Sequence, residues 1–307
     1  MRRFVRWSLR LLLALIVLAM LILGAAWWWF HPEFTVTREI VYTKRNGHEL
    51  TLDVVRPAHP AGSAVLVMVS GKWMSDPRKF QPWMAASFLR EGHTLFAVSH
   101  LSQPEATVQE IVEDVHRAAR FVRHHAKEYG IDPQRIGVFG GSSGGHLALM
   151  LATRGGAGDP RAADPVDRES SAVQAATVFY PVTDLLNLGP STENLGDGGP
   201  PKSFVNSFGP EVADLSEWKV IGREVSPIFH VSASLPPVFI AHGDADTLVP
   251  LEQSTRFQLK AAEVGREVKL TIRAGQKHGW RTMIWDAHLF AGWMTEQLDA
   301  KIVRGDR

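Results

Sequence analysis

The sequence predicts an α/β protein with a mostly parallel, doubly wound sheet. Apolar, β-branched runs such as Ala64–Val69 alternate with longer segments of helical period, which is the pattern of strands joined by crossover helices. Two alternating runs flank the turn-forming pair Asn46-Gly47 and predict an N-terminal β-hairpin. A glycine-rich turn, Gly140–Gly145, joins an apolar run directly to a helix-forming run. At 307 residues the chain is long enough for one large α/β domain with an appendage.

The charge and the composition exclude several classes of protein. The formal net charge is +1, and four arginines lie within the first ten residues, so the remainder is slightly acidic. We therefore expect no nucleic-acid partner. There is no cysteine, which excludes disulfides, thiolate metal sites and a cysteine nucleophile.

The N-terminal segment predicts a membrane anchor. Residues 1–10 form a basic tail, and residues 11–30 contain no charged side chain over a length sufficient to cross a bilayer. Three tryptophans, Trp27–Trp29, close the segment at the depth of the membrane interface, and the positive-inside rule predicts a cytoplasmic N-terminus. Small residues at Gly24–Ala26 leave a cleaved signal peptide as the alternative. We favour the anchor because the apolar run continues past that position.

Residues 36–303 are predicted to form one domain of alternating strands and helices. After a hairpin over Arg38–Arg56, the predicted strands are Ala64–Val69, His93–Ser99, Ile136–Phe139, Val173–Tyr180, Pro237–His242 and Val268–Ile272. The predicted helices are Phe80–Arg90, Pro104–Tyr129, a run ending near Thr153, Leu251–Val264 and Trp280–Ile302. Residues from about 185 to about 235 have no clear period and many Gly, Pro, Ser and Asn, which predicts a lid-like insertion.

The glycine-rich turn has the form of a nucleophile elbow. A G-x-S-x-G turn between a strand and a helix raises a serine above the sheet, and its small residues let strand and helix approach closely. Two registers fit, because Gly140–Gly144 centres the pattern on Ser142 and Gly141–Gly145 centres it on Ser143. Spacing alone does not separate them. The turn lacks the patterns of phosphate-binding loops.

A serine nucleophile needs a base and an orienting acid, and two late loops contain both. In α/β-hydrolases the acid and then the histidine follow the serine, each at the carboxyl end of a strand. The first loop contains Asp244 and Asp246; Asp246 lies further round the turn, whereas Asp244 has the position of a turn-capping residue. His278, in the loop after the last strand, is the candidate base, and His288, in a helical run, is the weaker candidate.

An oxyanion hole needs a second backbone N–H in addition to the one that follows the nucleophile. In this fold the second donor comes from a loop after an early strand, which here is Ser70–Trp73. Gly71 permits a sharp turn, and the N–H groups of Gly71 and Lys72 are the candidates. Ser143 supplies the first donor when Ser142 is the nucleophile.

Three stretches together resemble the acetyl esterase/lipase group of α/β-hydrolases, relatives of hormone-sensitive lipase. They are Gly140–Ala148, His242–Pro250 and Lys277–Trp280, and the opening stretch Gly47–Pro57 is similar to theirs too. The resemblance covers about residues 39–298. It implies the α/β-hydrolase fold, with Ser142 as nucleophile, Asp246 as acid and His278 as base. These enzymes carry an H-G-G-G-W segment where this chain has Ser70–Trp73.

These features predict a membrane-anchored serine esterase whose catalytic domain lies outside the cytoplasm. It would hydrolyse a small-molecule carboxylic ester through an acyl-enzyme on Ser142, a reaction that needs no metal or cofactor. One alternative is a serine peptidase resembling prolyl oligopeptidases, which is disfavoured because no propeller domain precedes the elbow. The other is a catalytically silent hydrolase fold used for binding, which only the altered Ser70–Trp73 loop favours. The oligomeric state is not predicted.

Overall fold

One eight-stranded sheet organises the part of the chain, residues 2–305, that the computed structural model describes. The strands are β1 (Phe34–Arg45), β2 (His48–Pro57), β3 (Ala64–Met68), β4 (Thr94–Val98), β5 (Ile136–Gly141), β6 (Ala175–Phe179), β7 (Val238–Gly243) and β8 (Val268–Arg273). Their order is β1-β2-β4-β3-β5-β6-β7-β8, and from β4 onward every neighbouring pair is parallel. The predicted mostly parallel sheet is confirmed.

Helices cover both faces of the sheet. They are α1 (Arg2–Phe30), α2 (Ala86–Arg90), α3 (Val108–His124), α4 (Ala126–Tyr129), α5 (Ser143–Arg154), α6 (Pro165–Arg168), α7 (Leu215–Glu224), α8 (Glu252–Glu263) and α9 (Met283–Gly305). Alternate residues of β3 point to opposite faces, so Leu66 belongs to the core cluster that contains residues of α3, α5 and α8, whereas Val65 belongs to the cluster that contains residues of α2 and α9. Burial on both faces explains why this strand is apolar throughout.

The predicted hairpin is present and longer than its alternating core. Asn46 and Gly47 both have positive φ, at 52° and 81°, which matches the right-handed twist of the flanking strands. β2 pairs antiparallel with β4, which attaches the hairpin to the edge of the parallel sheet.

Two predicted helices differ from the structure because of local capping chemistry. The helix expected over Pro104–Tyr129 begins at Val108, where the Thr107 side chain and Glu110 form a capping box. It breaks at His125 and resumes as α4. The helix expected over Phe80–Arg90 is a 3₁₀ turn, Pro82–Ala85, which a proline opens, followed by the short helix α2. Another 3₁₀ turn, Pro77–Lys79, comes before it.

The predicted insertion contains a helix that the sequence did not indicate. Asp214 caps α7, which packs through the fully buried Trp218, and the Trp218 and Phe208 rings lie 5.0 Å apart. The ten-residue helix has only two buried residues, Trp218 and Gly222. The final helix begins at Met283 rather than Trp280.

The N-terminal helix α1 is exposed along its apolar length. Its segment Arg6–Phe30 is long and apolar enough to span a membrane, a property that a signal sequence near an N-terminus shares. Residues 2–10 of the predicted basic tail continue the same helix, and Met1 lies outside the described residues.

Candidate active site

The elbow places Ser142 between β5 and α5 in a strained backbone conformation. Ser142 has φ 54° and ψ −122°, a region that residues with a side chain rarely adopt. Its N–H donates to the Phe179 carbonyl over 3.0 Å, which holds the turn against β6. A Cβ on Gly140 would lie 2.2 Å from the Gly144 carbonyl oxygen, so only glycine permits this approach of strand and helix.

The structure brings three of the predicted residues together at the carboxyl edge of the sheet. His278 Nε2 lies 2.9 Å from Ser142 Oγ, and His278 Nδ1 lies 2.7 Å from Asp246 Oδ2. An ionised carboxylate only accepts, so Nδ1 carries the proton and Nε2 accepts from the Ser142 hydroxyl. This is the arrangement in which a serine hydroxyl loses its proton to an imidazole.

The two alternative residues lie elsewhere. Asp244 is exposed and accepts a 2.6 Å hydrogen bond from the Gly275 N–H, which joins the two loops without touching the imidazole. His288 lies on the exposed face of α9, where its ring contacts Trp29 with centroids 5.4 Å apart.

Asp246 is buried and held by several donors. Its Oδ1 accepts from the N–H groups of Leu248 and Val249, each over 3.0 Å. Burial by itself would raise its pKa, but the nearby imidazoles of His242 and His278 and the Val249 N–H outweigh it and lower the pKa well below the ordinary range. The carboxylate is therefore charged at neutral pH and able to stabilise an imidazolium.

His242 holds the turn that carries Asp246 in place, a role that its position in the sequence motif did not indicate. Its Nε2 is 2.7 Å from the Val249 carbonyl oxygen and 3.6 Å from Asp246 Oδ2, so the hydrogen bond goes to the carbonyl. Its Nδ1 then accepts from the Ser254 hydroxyl over 2.7 Å. The ring is fully buried, and it fixes the turn that carries Asp246.

Tyr180 packs against the imidazole and was not found by sequence reasoning. Its ring centroid lies 4.4 Å from that of His278, and its φ is 32°. Burial, together with the Asp246 charge, raises its pKa to about 12, so the phenol stays neutral. The only signal in the sequence was its position directly after a buried strand, at the edge where the other site residues lie.

The loop after β3 turns back on itself through two strained residues. The Gly71 N–H donates to the Met74 carbonyl over 2.9 Å, and the Met74 N–H donates to the Gly71 carbonyl over 3.0 Å. Lys72 and Trp73, between them, have φ of 59° and 54°, which is the pattern of a type I′ turn. Each positive φ costs about 1 kcal/mol or more in a residue other than glycine, and such strain is concentrated at functional sites.

This turn changes which N–H groups are free. The Gly71 N–H is engaged within the turn, whereas those of Lys72 and Trp73 make no hydrogen bond among residues 2–305. The N–H of Ser143, at the first position of α5, has no partner within its own helix. Lys72 and Trp73 line the same cavity as Ser142. Of the two predicted loop donors, Gly71 is therefore excluded and Lys72 is retained, and the Trp73 N–H is an additional candidate.

A buried polar chain connects this loop to the elbow. His100 Nδ1 donates to the Leu101 carbonyl over 2.8 Å, so its Nε2 accepts from the Ser70 hydroxyl over 2.9 Å. Ser70 Oγ lies 3.2 Å from Ser143 Oγ and accepts from it in turn. Burial lowers the pKa of His100 to about 4, which keeps the ring neutral and this direction of donation unchanged at neutral pH. The Ser143 hydroxyl therefore points away from His278.

A comparison with protein families decides where the chain belongs. A profile of the BD-FAE family, a group of hormone-sensitive-lipase-like α/β-hydrolases, matches residues 52–261. The chain belongs to the BD-FAE family. The predicted resemblance and the α/β-hydrolase fold are thereby confirmed. Ser142 and Asp246 lie within the matched residues, and His278 follows them.

Named relatives of this BD-FAE chain are ester hydrolases. It is 31% identical over 198 residues to the probable carboxylic ester hydrolase LipM and 31% identical over 224 residues to the esterase LipQ, both of Mycobacterium tuberculosis. The matches cover 64% and 71% of this chain but 44% and 51% of those proteins, so it spans about half the length of these curated relatives. The structure of esterase 2 from Thermogutta terrifontis is 29% identical, with a TM-score of 0.63, and the match covers 89% of this chain and 92% of that one.

The BD-FAE domain has a small apolar cavity beside Ser142. Its volume is about 50 Å³, room for only a few non-hydrogen atoms. Its walls come from the loop after β3, the elbow, the loop that carries Asp246, and the insertion; the lining residues include Trp73, Leu185, Leu188, Phe204 and Val249. Within residues 2–305 no group of three or more His, Asp or Glu side chains is placed to hold a metal ion.

Proposed function

We propose that this chain is a serine esterase that hydrolyses carboxylic esters through an acyl-enzyme on Ser142. The observation that carries the proposal is the continuous hydrogen-bonded chain from Ser142 through His278 to Asp246, with heavy-atom distances of 2.9 and 2.7 Å. Both distances are within the reach that proton transfer requires. The names of the curated relatives, carboxylic ester hydrolase and esterase, support the same reaction class.

The first half-reaction acylates the serine. Ser142 Oγ attacks the ester carbonyl carbon while its proton passes to His278 Nε2, and Asp246 stabilises the imidazolium that forms. The carbonyl oxygen becomes an oxyanion in the tetrahedral intermediate. When the intermediate collapses, the bond to the alcohol oxygen breaks, and the alcohol leaves with the proton from Nε2.

The second half-reaction releases the acid. Water gives a proton to His278 Nε2 and attacks the acyl carbon, and the bond to Ser142 Oγ breaks as that oxygen recovers the proton. In both halves the oxyanion is held by backbone N–H groups of Ser143 and of the strained turn at Lys72 and Trp73. Donors held in place before the reaction stabilise charge without reorganising, an effect worth about 3 kcal/mol per donor.

The cavity favours a small acyl group. Its apolar wall suits a short alkyl chain, and its volume of about 50 Å³ leaves little room for a longer one. Related proteins point the same way: one structure of the Thermogutta terrifontis esterase is described as butyrate bound, and a curated relative from Pseudomonas putida is named ethyl acetate hydrolase. Another structure of the same esterase is described as phosphoramylated by tabun.

The N-terminal helix serves as a membrane anchor in this proposal, and residues 36–303 form the catalytic domain. The apolar segment Arg6–Phe30 is long enough to span a bilayer, and its last turn carries Trp27–Trp29, which suit the membrane interface. The arginines at its N-terminal end favour a cytoplasmic N-terminus. The catalytic domain then lies on the extracytoplasmic side.

A labelling experiment tests the function against both alternatives. The full-length chain in detergent is treated with a fluorophosphonate probe and assayed with p-nitrophenyl esters of increasing acyl length, beside Ser142→Ala as a control. We expect labelling that depends on Ser142 and turnover that falls beyond short acyl chains. Absence of labelling would favour a silent binding fold. Labelling with cleavage of a peptide substrate but no ester would favour the peptidase.

A further inference from the structure

We propose that the catalytic domain rests on the bilayer through an apolar surface formed by α9 and the turn before α2, which brings esters dissolved in the membrane close to the His278 side of the active site. This inference deepens the proposed esterase function and rests on the proposed anchor. The surface is defined by Trp83, Met84, Trp285 and Leu289 and is called the α2–α9 patch below. Its partner is a bilayer that contains anionic lipid.

The patch consists of large apolar side chains that the fold leaves in solvent. Their exposed fractions are 46% for Trp83, 49% for Met84, 59% for Trp285 and 50% for Leu289. Trp285 and Leu289 are four residues apart on α9 and share one face of that helix. Trp83 and Met84 lie in the turn that leads directly into α2, which packs against α9. Grouped exposure of this kind marks contact surfaces in soluble domains.

The last turn of α1 contacts both helices of the patch. The Arg90 guanidinium lies over the Trp28 ring at 4.0 Å and the Trp29 ring at 4.9 Å, and it donates to the Trp29 carbonyl over 2.8 Å and to the Trp28 carbonyl. The Trp29 ring meets His288 edge-on at 5.4 Å. The helix that enters the membrane therefore ends against α2 and α9.

Helix geometry keeps the patch close to that contact. Trp285 is one turn of α9 from His288, an axial distance of about 5 Å, and Leu289 is the adjacent residue. Met84 and Arg90 are separated by six residues of mostly helical chain, about 9 Å along the axis. All four patch residues thus lie within about two helical turns of the end of the anchor, at the level where indole rings prefer to lie.

The charges beside the patch complement an anionic surface. Lys79 precedes Trp83 and Met84 in the chain, Arg281 precedes Trp285, and both side chains are exposed. Basic side chains next to an apolar membrane-contacting face attract anionic headgroups.

Helix α8 lacks this combination. On α8, Leu259 is 65% exposed, but it is a single apolar residue beside the Lys260–Glu263 ion pair, whose atoms are 2.6 Å apart. Isolated exposed leucines of this kind are ordinary in soluble proteins. Leu259 therefore provides a matched control for Leu289.

The patch lies close to the catalytic residue His278. α9 begins at Met283, whose Sδ is 3.6 Å from the Tyr180 hydroxyl, and the Tyr180 ring packs on His278 at 4.4 Å. Trp285 is two residues after Met283. A bilayer that contacts the patch therefore lies next to the side of the site where the imidazole is held, so that an ester partitioned into the membrane needs to move only a short distance.

The absence of cysteine makes a depth measurement direct. Full-length Leu289→Cys and Leu259→Cys chains each carry one nitroxide label and are reconstituted in vesicles of phosphatidylethanolamine and phosphatidylglycerol. We expect the label at 289 to collide with oxygen in preference to a water-soluble nickel chelate, and the label at 259 to show the reverse. Equal access of the chelate to both labels would overturn the proposal. Dipolar coupling between labels at 289 that disappears on dilution with unlabelled chain would assign the patch to a second copy and would also overturn it.

An activity measurement provides the second readout. Leu289→Glu should lose about tenfold or more of its turnover of an ester of a short acid and a long-chain alcohol that is held in the vesicles, because membrane contact scales with apolar area. Its turnover of a soluble short ester should stay unchanged. Leu259→Glu should change neither. Equal activity of both variants on the vesicle-held ester would overturn the proposal, and if Leu289→Glu does not fold, the label depth decides. If the unmodified chain hydrolyses no ester at all, the esterase proposal fails while the depth result still stands.

Discussion

Trp73 Nε1 donates a hydrogen bond to His146 Nδ1 over 3.1 Å, and this bond joins the strained turn beside the nucleophile to the helix behind it. Because Nδ1 accepts, the proton is on Nε2, which donates to the Val225 carbonyl over 2.6 Å. Burial lowers the pKa of His146 to about 4, so the neutral ring keeps both bonds at neutral pH. One imidazole therefore connects the candidate oxyanion loop, the elbow helix and the end of α7.

The first prediction concerns this bond. Trp73→Phe removes the donor but keeps an aromatic ring against Phe204 and Phe208, its neighbours at 5.4 and 5.6 Å. We expect kcat to fall about tenfold to a hundredfold with little change in KM, since oxyanion donors act mainly in the transition state. The matched control is Trp218→Phe, because the buried Trp218 Nε1 has no partner among residues 2–305. A loss of kcat as large in the control would assign the effect to packing.

The second prediction separates the two registers of the elbow. Ser142→Ala should reduce ester turnover by about a factor of a million, the cost typical of a removed serine nucleophile. Ser143→Ala keeps its backbone N–H and loses only the hydroxyl bond to Ser70, so it should stay within about tenfold of the parent. Single-turnover assays of both variants make the comparison. Inactivity of Ser143→Ala alone would move the nucleophile one residue along.

The third prediction separates the two aspartates. Asp246→Asn preserves shape but presents an amide to His278 Nδ1, which favours the wrong tautomer and should lower turnover by about four orders of magnitude. Asp244→Asn can still accept from the Gly275 N–H and should stay within about tenfold. Turnover and melting temperature are measured for both. An inactive but stable Asp244→Asn chain would contradict the assignment.

The fourth prediction is a loss of stability in mild acid. Burial lowers the pKa of His93, His100 and His146 to about 4 and that of His116 to about 3, whereas the unfolded chain protonates them near an ordinary value of about 6.5. Below that pH the unfolded state binds more protons, so the free energy of unfolding falls between about pH 6.5 and pH 4. Each histidine contributes a slope of about 1.4 kcal/mol per pH unit. Burial raises the pKa of Asp114 to about 6, so this carboxyl group binds a proton in the folded state first and stabilises the fold as the pH falls. This one group offsets the contribution of only one of the histidines.

Urea unfolding of the chain in detergent between pH 7 and pH 4.5 measures that slope. His116→Asn keeps an acceptor for the Ser171 hydroxyl but does not titrate, so its slope should be smaller by about 1.4 kcal/mol per pH unit. A pH-independent free energy of unfolding in the parent chain would contradict the prediction.

The fifth prediction concerns the anchor. The mature chain should retain Arg2 and stay with membranes after a high-salt wash, because a spanning helix is held by apolar burial rather than by charge. N-terminal sequencing and fractionation test both points. A mature sequence that begins near Trp27 would show instead that the helix is a cleaved signal.

Local patterns in the sequence determined most of the fold. Strands buried on both faces consist almost entirely of apolar residues, as β3 and β4 do, and the turn pair Asn46-Gly47 favours the positive φ that it adopts. The elbow also needs glycine for a local reason, because a Cβ at Gly140 would collide with the carbonyl group of Gly144. Helix α7 was missed because only two of its ten residues, Trp218 and Gly222, are buried, so few side chains mark its inner face.

The tertiary structure decided what sequence spacing left open in the site. Ser142 and Ser143 are equivalent in the motif, but only Ser142 Oγ lies 2.9 Å from His278, while Ser143 Oγ bonds to Ser70. The two aspartates differ in the same way: Asp246 accepts a hydrogen bond from the His278 imidazole, whereas Asp244 accepts one from the Gly275 N–H. Such choices depend on loops that follow different strands, and their side chains meet only once β5, β7 and β8 lie parallel in one sheet, with their carboxyl ends at one edge. The sequence by itself therefore determined which chemical groups are available, and the packing of the sheet decided which atoms of those groups come within hydrogen-bonding distance.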